Sequence, residues 1–262
     1  GTVMSGCNYM DYLAVSKLPT IWCPGCGNGI VLKAIVRAFA DLGLDRRKTV
    51  AVSGIGCWGW ADDYLDVNAF HGTHGRALAF ATGIKLANPG LTVIVLMGDG
   101  DGATIGGNHL IHAARRNVDL TAVVVNNFNY GMTGGQYSAT TPEGGITSTS
   151  PLGHSEEPFD LCALAVAAGA PYVARGSVLD GNSLRRMIRT GLSRRGFSFV
   201  EALSVCTTHY GPRNLVGTPF EMYKRLRSTQ DSLPLGVFAD RAPEDWSSRY
   251  RRATSGGSSG GA

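Results

Sequence analysis

Leu91-Thr-Val-Ile-Val-Leu-Met-Gly-Asp-Gly-Asp101 decides the fold. A short, mostly apolar run with no polar face describes a strand covered on both sides, which is how strands of a parallel sheet read. A glycine-aspartate-glycine turn follows at once, so Asp99 stands at the carboxyl end of that strand, where open α/β sheets gather their ligands. Next come a helix near Gly106 to Arg116 and a strand from Leu120 to Val125 that closes on Asn126-Asn127. Gly98 to Asn127 is thirty residues, the length of one βαβ unit. Two neighbouring parallel strands therefore present a carboxylate and a carboxamide oxygen at one edge. Hard oxygen donors of this kind suit Mg²⁺ and leave room for phosphate oxygens.

The same alternation extends in both directions. Asn28 to Leu42 places Ile30, Ala34, Ile35, Ala38 and Leu42 on one helical face, with Asn28 as the expected N-cap and Gly43 as the C-cap. Thr49 to Ser53 reads as a strand, and Gly75 to Ala87 as a small-residue helix stopped by Asn88-Pro89-Gly90. Downstream, Phe159 to Gly169 and Leu184 to Arg194 read as helices and Phe197 to Ser204 as a last strand. Strands alternating with helices predict one α/β domain built on a doubly wound parallel sheet, residues 21–210. Residues 1–20 form an N-terminal arm, 211–252 an extension that wraps the core or a neighbour, and 253–262 a flexible Gly/Ser tail. Thr133 to Pro158 is too long and too rich in Gly, Ser, Thr and Pro for a passive connection, which marks it as a functional loop. There is no internal repeat.

Of 262 residues, 44% are hydrophobic and 17% charged, which excludes a disordered chain. No apolar run approaches the ~20 residues that cross a bilayer, and Gly1 to Thr20 lacks a basic segment leading into an apolar one. The expectation is a cytoplasmic protein without membrane contact, whose six cysteines are metal ligands or free thiols. The net charge is +4, but residues 185–252 hold thirteen Arg or Lys against six Asp or Glu, leaving the remainder acidic. No motif supports nucleic-acid binding, so this basic region is a solvated face or a docking face for an acidic partner.

Cys23-Pro-Gly-Cys26-Gly is a CxxC on a turn, with Cys57 alone in Gly56-Cys-Trp-Gly59 and Cys206 closing the last predicted strand. This distribution fits a cluster assembled from distant loops, a [4Fe-4S] group, better than the paired knuckles of a zinc ribbon. Zinc and unliganded buried thiols remain the alternatives. Cys162, inside a predicted helix, reads as a small buried residue, and Cys7 belongs to no pattern. His71, His74 and Arg76 stand in the turn entering a helix, a candidate wall for an anion. His109 and His112 read as structural.

The spacing of Gly98-Asp-Gly100 and Asn126-Asn127 resembles the diphosphate-binding motif of thiamine diphosphate enzymes. That resemblance implies Mg²⁺ ligands at Asp99, Asn127 and the carbonyl of Asn129, with Gly98, Gly100 and Asp101 along the diphosphate. With Cys-Pro-Gly-Cys-Gly27, Cys57, Thr73-His-Gly-Arg76 and Tyr130-Gly-Met-Thr-Gly-Gly-Gln136 in the same order, residues 20 to 210 resemble the β subunit of a 2-oxoacid:ferredoxin oxidoreductase. Implied by that family are a [4Fe-4S] cluster on Cys23, Cys26, Cys57 and Cys206, and cofactor contacts from Ile55, Gly56, His74, Gly131, Met132 and Thr133. His74 and Arg76 are the implied catalytic pair. The family also implies an α subunit carrying the pyrimidine-binding domain, a dimer of αβ heterodimers, and ferredoxin, 2-oxoacid and coenzyme A as partners. Ile105-Gly-Gly-Asn-His-Leu-Ile-His-Ala-Ala-Arg-Arg-Asn117 is most similar to the 2-oxoglutarate type, with branched-chain and pyruvate types as alternatives. A non-redox thiamine decarboxylase would share the aspartate and asparagines without needing four placed cysteines.

Overall fold

The computed structural model describes residues 8–255; Cys7 and residues 256–262 of the expected tail lie outside it. A seven-stranded sheet forms the middle layer. In chain order its strands are β1 (Thr49–Ser53), β2 (Asn68–His71), β3 (Thr92–Gly98), β4 (Thr121–Asn126), β5 (Tyr172–Ser177), β6 (Ser198–Leu203) and β7 (Gly236–Asp240). They lie side by side as β2-β1-β3-β4-β6-β5-β7, all parallel except β7, which pairs antiparallel with β5. The helices are α1 (Asn28–Leu42), α2 (Ala77–Ala87), α3 (Gly107–Arg116), α4 (Leu161–Ala167), α5 (Gly181–Ser193), α6 (Tyr210–Arg213), α7 (Pro219–Ser228) and α8 (Trp246–Ser255).

Period-two alternation sorts the core into two layers. From β3, Ile94 and Leu96 face a cluster with Ile35, Phe39, Leu184 and Ile188 of α1 and α5. Val93, Val95 and Met97 face the opposite cluster with Leu78, Leu110 and Ala165 of α2, α3 and α4. The connection from β1 to β2 runs through the short helical segment Trp58–Tyr64 on the first side, whereas β3 reaches β4 through α3 on the second. Between β1 and β3 the chain thus departs in opposite directions. This is the topological switch point, where a crevice opens beyond the strand ends.

Several boundaries differ from the sequence expectation. Gly27, not Asn28, occupies the N-cap of α1, and Asn28 is buried in the first turn. Gly43, at φ 57°, ends the helix as expected. The buried face adds Val31 and Phe39 and leaves Ile30 and Leu42 half-buried, a rotation of about one residue. β2, β5 and β7 have no counterpart in the sequence reading. β2 is a fully exposed edge strand and β5 carries Arg and Gly inside it, so neither shows the apolar pattern of a buried strand. Residues 211–252 do wrap the core: Met222 and Leu226 of α7 are buried in the first layer, and β7 extends the sheet. The N-terminal segment also joins that layer through Tyr12, whose ring meets Phe39 edge-on.

Candidate active site

At the switch point, one cavity brings together Ile55, Gly56 and Cys57 after β1, His74 after β2, Gly98 to Asp101 after β3, and Asn127, Asn129, Gly131, Met132 and Thr133 after β4. These are the site residues expected from sequence, apart from three of the cysteines and Arg76. Arg76 stands at the N-cap of α2, exposed, with its guanidinium turned back to the Gly75 carbonyl at 3.4 Å. Arg76 therefore lies two residues beyond His74 without lining the cavity. His71 is also outside the cavity, where its Nδ1 meets Asp62 and Ser53. Trp58, Val125 and Tyr130 line the wall without having been singled out in the sequence.

Asp99 is 2% exposed, and its Oδ2 accepts hydrogen bonds from Ser138 Oγ (2.5 Å) and Thr140 Oγ1 (2.7 Å). Burial pushes its carboxyl up to about 6 against the opposing effect of those hydroxyls. The other oxygen, Oδ1, is turned to Asn127. There one end of the Asn127 side-chain amide lies 2.8 Å from the Asn129 carbonyl and 3.2 Å from Asp99 Oδ1, and with its NH₂ at that end it donates to both. With the amide oxygen turned there instead, three oxygens face one another, the orientation that a cation among them would select. A carboxylate, a carboxamide and a carbonyl are the donor set that fits a small hard cation.

Asp101 ties three loops together. Its Oδ1 accepts from His74 Nδ1 (2.6 Å), the Gly75 amide (2.6 Å) and the Ile55 amide (3.4 Å), while burial raises its carboxyl above the usual range. Asp101 is thus a buried strut between the loops. With Nδ1 engaged, His74 keeps Nε2 as its free ring nitrogen. Tyr130 donates to the Gly100 carbonyl at 3.1 Å, and any side chain at Gly100 would run into its ring. That close approach is what requires glycine here.

The long loop after Thr133 is built into the site. Besides Ser138 and Thr140 on Asp99, Thr141 Oγ1 donates to the Phe128 carbonyl at 2.7 Å, and all three hydroxyl residues are buried. Phe128 sits at φ 64°, a conformation that bulky residues rarely adopt, and its amide donates to Asn126 Oδ1 at 3.1 Å. The left-handed turn directs Asn127 and Asn129 inward. Asn126 in turn donates to Glu201 Oε1 at 2.8 Å, and Arg175 Nε donates to Glu201 Oε2 at 2.6 Å. Asp160, Cys162 and Glu201 bring their ligand atoms within 4.8 Å of one another. The cation there is Arg175 itself, paired with both carboxylates. Cys162 is fully buried as expected, and burial beside the Glu201 carboxylate pushes its thiol far above the ordinary range.

The four candidate cluster cysteines converge from three loops. Cys57 lies within electrostatic range of Cys206, Cys23 and Cys26, and burial with these neighbours pushes its thiol up to about 12. Ionising such thiols requires compensating positive charge, as a metal centre supplies. Among the described residues no three of these sulfurs lie within 4.8 Å of one another. Tetrahedral zinc would need sulfurs about 3.8 Å apart, closer than any three of these sulfurs come together. Gly131 joins the two sites, because a Cβ there would stand 3.4 Å from Cys57 Sγ and 3.6 Å from Asn129 Oδ1.

Residues 54–202 match the family model described as thiamine pyrophosphate enzyme, C-terminal TPP binding domain. That span holds Asp99, the asparagines and Cys57 but not Cys23, Cys26 or Cys206, so a thiamine domain alone does not account for the cysteines. The chain is 50% identical over 250 residues to the 2-oxoglutarate synthase subunit KorB of Archaeoglobus fulgidus, covering 93% of each sequence. It belongs to the 2-oxoacid:ferredoxin oxidoreductase β-subunit family. The subunit of the same name from Methanocaldococcus jannaschii is 46% identical over 90% of this chain and 87% of its own. A solved structure, the 2-oxoglutarate:ferredoxin oxidoreductase from Magnetococcus marinus with 2-oxoglutarate, coenzyme A and succinyl-CoA bound, superposes at a TM-score of 0.87. It is 32% identical and covers 99% of this chain and 94% of its own. The family resemblance and the thiamine-binding α/β fold read from the sequence motifs are therefore correct.

Proposed function

We propose that this β subunit, with an α subunit carrying the pyrimidine-binding domain, oxidises 2-oxoglutarate with coenzyme A to succinyl-CoA and CO₂ and passes the electrons to ferredoxin. The observation that carries this reading is the juxtaposition at Gly131: a three-oxygen set on Asp99, Asn127 and Asn129 adjoins a four-cysteine site through Cys57. The substrate follows the relatives, which are named for 2-oxoglutarate. Asp99, Asn127 and the Asn129 carbonyl would hold Mg²⁺, and Cys23, Cys26, Cys57 and Cys206 a [4Fe-4S] cluster. When bound, thiamine diphosphate supplies the electron sink for cleaving the bond between the 2-oxo carbon and its carboxylate, and the cluster supplies one-electron acceptance.

The chain's own residues do the positioning. Ser138 and Thr140 orient Asp99 so that one oxygen remains for the metal. Gly98, Gly100 and Gly131 let backbone approach the diphosphate. Ile55, Gly56, Met132 and Thr133 wall the cavity, and Asp101 holds His74 with its free nitrogen available to the reacting end. Arg76, exposed at the α2 entrance, does not line the cavity. Dimerisation of αβ pairs and a cytoplasmic setting complete the reading.

Two experiments bear on it. Cys57→Ser in the αβ complex, prepared without oxygen, is expected to lower iron below the about four irons and four labile sulfides of a [4Fe-4S] chain and to abolish ferredoxin reduction. Unchanged CO₂ release with no electron output from the unsubstituted complex would instead establish a plain decarboxylase. Replacing Ser138 by Ala together with Thr140 by Val removes both donors to Asp99. Affinity for magnesium thiamine diphosphate should fall about 10- to 100-fold, the usual cost of losing partners that orient a metal ligand, with iron content unchanged. Equal cofactor affinity by isothermal titration would remove the hydroxyls from the site.

A further inference from the structure

The four-cysteine site reaches the surface along one rim. Cys206 is buried and Cys26 and Cys57 are half-buried, whereas Cys23, Pro24 and Gly25 are exposed. α7 lies directly against that rim. A Cβ on Gly25 would stand 2.8 Å from Pro219, the first residue of α7. From the preceding loop, Thr208 Oγ1 donates to Cys23 Sγ at 2.9 Å and Thr207 Oγ1 to the Pro24 carbonyl at 3.2 Å.

This corner carries one cluster of the basic excess of the C-terminal third; Arg186, Arg189, Arg195, Arg241 and Arg249, elsewhere in that region, also form no ion pair among the described residues. Lys224, Arg225 and Arg227 on α7 and Arg213 just before it are all exposed, and among the described residues none of the four takes part in an ion pair. The nearby Glu221 is occupied in a capping box with Thr218. Elsewhere in the basic region Arg185, Arg194 and Arg252 are each paired with a carboxylate. Two large apolar side chains stand among the free cations: Phe220, 68% exposed beneath Lys224 Nζ, and Leu215, 94% exposed. Leu215 is at φ 58°, a left-handed conformation that non-glycine residues rarely adopt. It is held there by Asn214, whose side chain bonds the Ile146 amide and carbonyl and the Tyr210 carbonyl. An exposed leucine fixed in a strained turn is presented, not mobile.

We infer that the face made by α7 and the Leu215 turn is the docking surface for an acidic one-electron carrier protein, with Phe220 and Leu215 as apolar anchors inside a ring of positive charge. This rests on the cluster reading above and identifies where its electrons leave. Each encounter moves one electron from the reduced cluster to the oxidised carrier with no bond made or broken, so two encounters follow each 2-oxoacid oxidised. Opposite charge speeds the approach of such a partner, and a small contact lets it depart.

The test uses the αβ holoenzyme carrying Lys224→Glu with Arg227→Glu, and separately Phe220→Ala. Electron acceptors are a purified acidic 2[4Fe-4S] ferredoxin and methyl viologen, a small cation that needs no docking surface. The charge reversal is expected to raise the ferredoxin KM about tenfold or more and to flatten its dependence on salt. Methyl viologen reduction, iron content and αβ assembly should be unchanged. Phe220→Ala should raise the same KM without altering the salt dependence. Unchanged ferredoxin kinetics with normal viologen reduction overturn the docking surface alone, and so does loss of αβ assembly, which would assign this face to the α subunit. Absence of iron and of viologen reduction in the unsubstituted complex would overturn the cluster reading, and the docking surface with it.

Discussion

Replacing Asp99 by alanine should lower affinity for magnesium thiamine diphosphate by more than about a hundredfold, a larger loss than that of removing partners which only orient a ligand. The substitution takes away the single formal negative charge of the three-oxygen set. It leaves an uncharged carboxamide and a carbonyl, Asn127 and Asn129, to hold a divalent ion, and leaves the buried Ser138 and Thr140 hydroxyls with only each other and Asn126 Oδ1 as partners in place of the carboxylate. Asp99→Asn separates charge from shape, since it keeps an oxygen at the same distance but none of the charge, and it should fall between alanine and the natural residue. Trp58 lines the cavity, so quenching of tryptophan emission during a joint titration of thiamine diphosphate and Mg²⁺ reads the effect directly. Iron content of the variant should equal that of the unsubstituted complex, because no cysteine is touched. Undiminished binding by Asp99→Ala would mean that the oxygens at this strand end hold no metal.

The second large effect is on stability. Arg175 is fully buried inside β5, bonded to Glu201 on β6, to Asp160 at the N-cap of α4 and to the Pro234 carbonyl, with Phe238 of β7 beneath its guanidinium. Arg175→Ala leaves the buried Glu201 carboxylate with only Asn126 and the Cys162 thiol. Breaking one side of such a pair costs about 3–5 kcal/mol, a large share of the ~5–15 kcal/mol that separates folded from unfolded domains. The denaturation midpoint in urea should drop accordingly. Arg175→Met combined with Glu201→Leu removes both charges and should recover most of that loss. Asn126 Nδ2 would still lack its acceptor, and Asn126 is what holds the Phe128 amide behind the candidate metal ligands. Cofactor affinity of the paired variant should therefore stay about tenfold low although its stability is restored. An Arg175→Ala chain as stable as the natural one would show that the pair contributes nothing net.

Much of the site was legible because its pieces are local. Strand β3, the glycine-aspartate turn and the paired asparagines announce themselves by apolar patterning and by the thirty-residue spacing of one βαβ unit, and α1 was readable as Asn28 to Leu42 from its apolar spacing and terminal glycine. Those signals arise from forces that act between near neighbours, or between a strand and whatever covers it. Ser138 and Thr140 were visible only as part of an unusually polar loop. Nothing in their neighbourhood says that they meet a carboxylate some forty residues earlier. β5 escaped notice because Arg175 sits within it, and a buried arginine makes sense only once Glu201 is known to lie on the adjacent strand.

The sequence by itself determined the α/β alternation, the oxygen donors at the ends of two strands, four cysteines in separated loops and an excess of positive charge near the C-terminus. Each of these follows from residue type and order alone. Only the tertiary structure decided that the oxygen set and the cysteines share a wall at Gly131, that Arg76 stands outside it, and that the basic residues of α7, none in an ion pair among the described residues, stand beside the exposed cysteine rim. Adjacency and neutralisation depend on distances of a few ångströms between segments far apart in the chain, and the order of strands in the sheet sets those distances.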